Sequence, residues 1–241
     1  MSDAGPRREA MIAAILARLA GCRTIAVGNS SPLPGTAALL ARAKWGARVL
    51  MLGSRRHNAF TDGGRELFDF AAQGRLDAFF LSGGQIDGSG AVNLVGIGDY
   101  PRLVQRFPGS FGSAYLAFLV PRLILFREEH TPRTLVAKVD FVSAPGVSEP
   151  GVHRPGGPVA LITGRCVFDF DRARGRFALA CVHDGETAAS VRAATGFDYD
   201  APGAAATTPR LDAADRALLA GRVAEELAET YPRFAAELAA A

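Results

Sequence analysis

The chain is poor in lysine. Of its 27 cationic residues only Lys44 and Lys138 are lysines, and the other 25 are arginines. These arginines are scattered, with pairs only at Arg7-Arg8 and Arg55-Arg56. A nucleic-acid surface needs a cationic stripe with interleaved aromatics, so a net charge of +3 gives no reason to expect that partner. The three cysteines (Cys22, Cys166, Cys181) form neither an even disulfide set nor a CxxC pair. No apolar run approaches the roughly 18 residues that cross a bilayer, the nearest being Tyr115–Pro121. Met1–Ala10 lacks the apolar core and cleavage site of a signal peptide. The expectation is a soluble, cytoplasmic protein without a membrane segment.

Several common catalytic signatures are also missing. There is no GxxxxGK[ST] phosphate loop, no HExxH zinc motif and no GxSxG nucleophile elbow. Gly96-Ile-Gly98 begins like a dinucleotide fingerprint, but Tyr100-Pro101 follows and no third glycine opens a helix. His57, His130, His153 and His183 stand apart, without metal-ligand spacing. No metal and no permanently bound cofactor is expected.

What is present is a chain of 241 residues, 49% hydrophobic and 21% charged, enough for a sizeable core. Met11, Ile12, Ile15, Leu16 and Leu19 have the spacing of an amphipathic helix over 6–20. Thr24–Val27, Val49–Leu52 and Ala78–Leu81 read as short buried strands. Between them lie helical segments at Thr36–Lys44, closed by Gly46, and at Arg65–Gln73. That alternation predicts an α/β fold with an open, largely parallel sheet flanked by helices.

The second half reads as hairpin-rich. Strands are expected at Leu123–Phe126, Leu135–Val139 and Val159–Thr163, and a hairpin at 166–170 and 176–181 around Gly175. A helix at Ala114–Leu119 and another at Thr187–Thr195, with Gly196 as its C-cap, complete it. Residues 1–200 read as one domain, 201–211 as a flexible linker and 212–241 as a C-terminal helix.

Glycine recurs after apolar runs, at Gly28-Asn29, Gly83-Gly84-Gln85-Ile86-Asp87, Gly96–Asp99 and Gly109-Ser110-Phe111-Gly112-Ser113. Ligands of parallel α/β sheets bind at the carboxyl ends of strands, where glycine lets backbone amides approach an anion. The alternative is that these are only tight turns.

The run Gly83-Gly84-Gln85-Ile86-Asp87, with Asn93 six residues on, resembles the GGxQID-x-x-G-x-x-N segment of β-type subunits of the family I CoA-transferases, the glutaconate branch above all. Ile97–Tyr100, Pro108–Ser113, Val136–Gly146, Val167–Phe170, His183–Gly185 and Ala194–Phe197 resemble further family segments in the same order. The resemblance spans about residues 8 to 200. It implies the open α/β sheet shared with ribose-5-phosphate isomerases, an α-type partner subunit and a coenzyme A thioester as substrate. It also brings Gly28, Asn29, Gly83, Gly84, Gln85, Asp87, Asn93, Gly109, Ser110, Gly112 and Ser113 forward as substrate-binding candidates. In the family a glutamate of the β chain attacks the acyl-CoA thioester, which is covalent catalysis.

That glutamate falls where this chain has Leu52, Gly53 and Ser54, and no Asp or Glu occurs between Glu9 and Asp62. Three readings follow. A partner chain supplies the carboxylate, as in the related steroid ring-cleaving hydrolases; or Ser54 or His57 has taken a catalytic role in hydrolysis; or the chain is a non-catalytic acyl-CoA or phosphometabolite-binding subunit or sensor. Arg55 and Arg56 read either as holders of a substrate carboxylate or phosphate, or as a solvated loop.

Overall fold

The computed structural model describes residues 4–201 and 203–240. They fall into two compact units, one built from the residues up to Phe80 together with Pro209 onward, the other from Leu81–Thr208.

In the first unit α1 (Ala4–Arg18) and α2 (Pro32–Trp45) pack on each other, and β1 (Thr24–Val27) pairs in parallel with both β2 (Arg48–Met51) and β3 (Ala78–Leu81). Met11, Ile12, Ile15 and Leu19 are fully buried, as the helical spacing requires. α2 begins four residues before the expected Thr36. Pro32 and Pro34 fit its first turn because the amides there have no intrahelical partner. Gly46 closes it in the left-handed conformation, φ 73°. α3 (Gly63–Ala72) has Asp62 at its N-cap without a side-chain capping bond; instead Glu66 accepts from the Thr61 and Asp62 amides.

The expected single C-terminal helix is broken. α6 (Ala213–Leu218) runs through a π-helical turn at Leu219–Val223 into α7 (Ala224–Leu227), and α8 starts only at Pro232 (Pro232–Ala239). Pro232 has no amide to continue the earlier helix, so residues 228–231 form an elbow. α2 packs against α7 and the π turn.

In the second unit β8 (Arg122–Arg127) and β10 (Pro158–Thr163) run parallel, and β10, β11 (Cys166–Asp171) and β12 (Arg176–Val182) form the expected antiparallel hairpins. The stretch read as a linker is ordered where it passes β12. Ala206–Thr207 pairs with Cys181–Val182 as β13, and Thr208 is buried. β4 (Gln85–Asp87) lies between β5 (Val92–Asn93) and β9 (Leu135–Val136), while β6 (Gly96–Ile97) pairs with β7 (Gln105–Arg106). β9 is shorter than expected because past Val136 the backbone turns to side-chain partners, the Val139 N–H donating to Asp87 Oδ2 at 3.2 Å. α4 (Ser113–Leu119) and α5 (Ala188–Ala194) lie near their expected positions. Thr187 and Ser190 cap α5 reciprocally. Gly196 is not a left-handed cap: a Cβ there would stand 2.3 Å from the Leu135 carbonyl oxygen, to which its own N–H donates at 2.8 Å. Glycine is needed for close approach. Phe168, Phe177, Phe197 and Tyr199 form the aromatic core of this unit.

Taken unit by unit, the described strands make an α/β fold whose principal sheet pairings are mainly parallel, with the antiparallel hairpins confined to the second unit.

Candidate functional site

The site begins where β2 ends. Leu52 still pairs with β1, its N–H donating to the Val27 carbonyl at 2.9 Å, and the chain then folds back until the Met51 N–H reaches the His57 carbonyl at 3.1 Å. Gly53 makes this turn at φ 88°, with Asn29 Oδ1 only 2.5 Å from where a Cβ would sit. The conformation favours glycine here, and any larger residue would also have to displace the Asn29 side chain. Gly28 makes only ordinary contacts at its Cβ position, and Asn29 is exposed.

Ser54 is buried, and its Oγ accepts the His57 N–H at 2.9 Å. Its own proton goes to Glu229 Oε2 at 2.6 Å. The Arg55 N–H donates to Glu229 Oε1 at 2.6 Å, and the Arg56 N–H stands 3.5 Å from Oε2. Glu229 sits on the elbow between α7 and α8, 175 residues downstream of Ser54. A carboxylate is therefore present at the carboxyl end of β2, although none is encoded in the loop. The Ser54 bond first, joined by the two amides, outweighs the opposing effect of burial and holds the Glu229 carboxyl below its usual range.

The elbow is fixed on both sides. Leu227 is fully buried, and the Tyr231 hydroxyl accepts the Ser31 N–H at 3.1 Å. Behind Ser54 lies a charged cluster. Arg42 Nη1 donates to His57 Nδ1 at 3.1 Å and to Glu226 Oε2 at 2.9 Å. Since an arginine only donates, His57 Nδ1 is the acceptor and the ring proton is on Nε2. Nε2 is 3.4 Å from Glu226 Oε2, a close approach that is not aligned as a hydrogen bond. Burial first and then Arg42 push the His57 pKa down. Burial alone would raise Glu226, but the Arg222 bond and the Arg42 charge outweigh it and hold that carboxyl ionised.

Ser54 and His57 are thus neighbours without being a nucleophile and its base. The Ser54 hydroxyl meets the His57 backbone, and the imidazole faces away toward Arg42 and Glu226. The arrangement that would activate a serine has the ring on the hydroxyl. Here Ser54 serves as a donor to a carboxylate.

The second unit holds the remaining candidates, and their polar side chains are bonded within it. Asn93 Nδ2 donates to Gln85 Oε1 at 2.8 Å and to the Gly96 carbonyl at 2.7 Å, while its Oδ1 accepts the Val95 and Gly96 amides. Gln85 Oε1 also takes the Asp140 N–H at 3.0 Å. Asp87 accepts from Ser89 N–H, Ser89 Oγ, Ala91 N–H and Val139 N–H. A Cβ on Gly84 would stand 2.1 Å from the Phe107 ring, and one on Gly83 2.4 Å from Val92. Both glycines allow the loops to pack. Gly109 differs. It has φ 106°, its Cβ position meets nothing within 4 Å, and its N–H donates to the Leu94 carbonyl at 3.0 Å. Gly112 is the N-cap of α4, and Ser113 closes back on the Ser110 carbonyl.

Sequence reasoning missed Glu229, Glu226, Arg42 and Tyr231. The one available signal was indirect: Glu225, Glu226 and Glu229 interrupt an alanine-rich tail whose acidic groups have no apolar role.

The coenzyme A transferase family profile matches residues 6–194, and the chain belongs to that family. It is 36% identical over 140 residues to the B subunit of the 3-oxoadipate CoA-transferase of Pseudomonas knackmussii, covering 55% of this chain and 53% of that one. Against the B subunit of the glutaconate CoA-transferase of Acidaminococcus fermentans it is 34% identical over 128 residues, 50% and 47% of the two chains. The matched stretch therefore spans about half the length of these curated relatives. The crystal structure of IpdAB from Rhodococcus jostii superposes with a TM-score of 0.79 at 22% identity, over 91% of this chain and 94% of the other. That likeness is one of fold.

Proposed function

We propose that this chain is the β-type subunit of a two-subunit enzyme acting on an acyl-CoA, and that the reacting carboxylate belongs to an α-type partner. Family membership supports the substrate class. Both curated relatives are, by name, one subunit of a CoA-transferase, which supports the complex. The loop after β2 carries the proposal. It has no acidic residue, and its Ser54 hydroxyl and Arg55 and Arg56 amides are all donors turned toward a carboxylate. Such a loop stabilises negative oxygen and does not attack. A partner carboxylate would add to the thioester carbonyl and expel the CoA thiolate, leaving an acyl anhydride. If the thiolate adds to the partner's own carbonyl of that anhydride, the acyl group leaves as its carboxylate and a partner–CoA thioester remains. An acceptor carboxylate attacks that thioester, and the thiolate it expels returns to the acceptor's carbonyl, which gives the new acyl-CoA and frees the partner carboxylate. Water attacking the first anhydride gives hydrolysis instead.

The test is to isolate the complex from its own host through a tag on this chain, and to assay acyl-CoA turnover by complex and chain separately. Turnover by the complex and none by the chain alone is expected. Equal turnover by the isolated chain, or a complex without acyl-CoA activity, overturns the proposal.

A further inference from the structure

We infer that the loop Gly53–His57 is a binding site for a substrate carboxylate, and that Glu229 fills it from within the chain until an incoming acid displaces it. The inference rests on the acyl-CoA reading for the identity of the acid, a free carboxylic acid acceptor or the carboxylate end of an acyl group. The site itself rests on geometry.

Three observations carry it. First, both oxygens of the resident carboxylate are held by separate donors, Oε1 by the Arg55 amide and Oε2 by the Ser54 hydroxyl, each at 2.6 Å. Charge-assisted bonds of this length are the strong kind. Secondly, the donors have supports other than Glu229. The Ser54 Oγ is fixed by the His57 N–H, and the turn is locked by the Met51 to His57 bond and the Gly53 conformation. A hydroxyl that already accepts from the backbone has its proton left to give outward. Thirdly, the occupant is easy to move. Glu229 is exposed, and its neighbours Leu227 and Tyr231 anchor the elbow independently of it. Rotation of one side chain opens the loop, with the backbone unchanged.

The charges fit an acid of either origin. Arg55 and Arg56 are exposed beside the site. Once Glu229 swings away, their cationic ends and the donors face solvent without a carboxylate between them. Glu226 stays committed to Arg42 and Arg222 behind the loop.

The test uses the full chain, Glu229→Ala, and acetate as the probe, followed through the backbone amide resonances of Arg55 and Arg56. Removing the tethered competitor is expected to tighten acetate binding about tenfold over wild type, and acetate is expected to restore the downfield position that the short bond to Glu229 predicts for the wild-type Arg55 amide. Adding Ser54→Ala is expected to abolish this gain. Glu229→Gln keeps the shape of the side chain and guards against a folding defect; its Arg55 amide is expected to move upfield and its acetate affinity to rise. Acetate binding no tighter in either Glu229 variant, or shifts confined to other amides, overturns the inference, as does a preference for inorganic phosphate over acetate. None of these readouts needs the partner or acyl-CoA. A failed site with intact turnover by the complex counts against this inference only, and the converse counts against the acyl-CoA reading only.

Discussion

Acidification is expected to destabilise this protein through one buried histidine. His130 lies in the core of the second unit, with Nδ1 at 2.7 Å from Thr163 Oγ1 and Nε2 at 2.9 Å from Thr195 Oγ1. Thr195 gives its own proton to the Val191 carbonyl at 2.7 Å, so it accepts from Nε2–H, and Nδ1 accepts from Thr163. Both ring nitrogens are satisfied by the neutral imidazole. Burial first, then the Arg165 charge, lowers the pKa from its ordinary 6.5 to about 4. The unfolded chain therefore binds a proton on this residue that the folded one refuses between pH 6.5 and 4. The associated stability is complete above pH 6.5 and is lost as pH falls toward 4. At about 1.4 kcal/mol per pH unit, the loss is roughly 3 kcal/mol. His57 is shifted in the same direction and adds loss of the same sign. Urea denaturation of wild type and His130→Asn at pH 7.5, 6, 5 and 4 isolates the His130 share, because asparagine does not titrate. The variant is expected to start less stable at pH 7.5 and to fall less steeply, by roughly 3 kcal/mol over the range. Parallel slopes for the two proteins, or a folded-state His130 titration at pH 6 or above, would refute this reasoning.

Other substitutions test the loops. Gly53→Glu puts a carboxylate where the family resemblance calls for one, but at φ 88° and against Asn29. It is expected to cost about 1–3 kcal/mol in chemical denaturation, with no CoA transfer gained by the isolated chain; transfer by that variant would show that the loop accepts a nucleophile. Gly84→Ala drives a methyl group into Phe107, and about 1–3 kcal/mol of stability should be lost. An unchanged midpoint would mean that the loops separate freely. Asn93→Ala removes four hydrogen bonds inside the Gln85–Gly96 segment and is expected to cost at least about 2 kcal/mol. Gly109→Val has open space at its Cβ position, but valine is strained at φ 106°; it is expected to cost about 1–3 kcal/mol in chemical denaturation and to abolish acyl-CoA binding by the complex. Unaltered affinity there removes Gly109 from the site.

The sequence was readable where information is local. Apolar periodicity placed α1, β1, β3 and the hairpin of β11 and β12 within a residue or two, because one buried face per element decides each. Boundaries slipped where local chemistry competes. α2 reaches back to Pro32 since proline is at home in a first helical turn, and the terminal helix divides because Pro232 cannot continue it. The segment from Gly83 to Asn93 was recognisable by its residues, but the bonds its side chains make were not. Asn93 bonds Gln85, and Gln85, Asp87 and Asn93 each take nearby amides, a pattern that depends on how β4, β5 and β9 meet. Glu229 lay furthest from view. The absence of a carboxylate between Glu9 and Asp62 was plain, and that one arrives from the distant elbow before α8 is a fact of packing alone.

The location of covalent chemistry is the most direct test of the whole account. The tagged chain, isolated with its companion from its own host, is incubated with an acyl-CoA pool and both chains are weighed intact. The account predicts that a second chain co-purifies and gains the mass of coenzyme A while this chain stays unmodified. A coenzyme A adduct on this chain, at Glu229 or elsewhere, would contradict it, as would a chain that purifies alone.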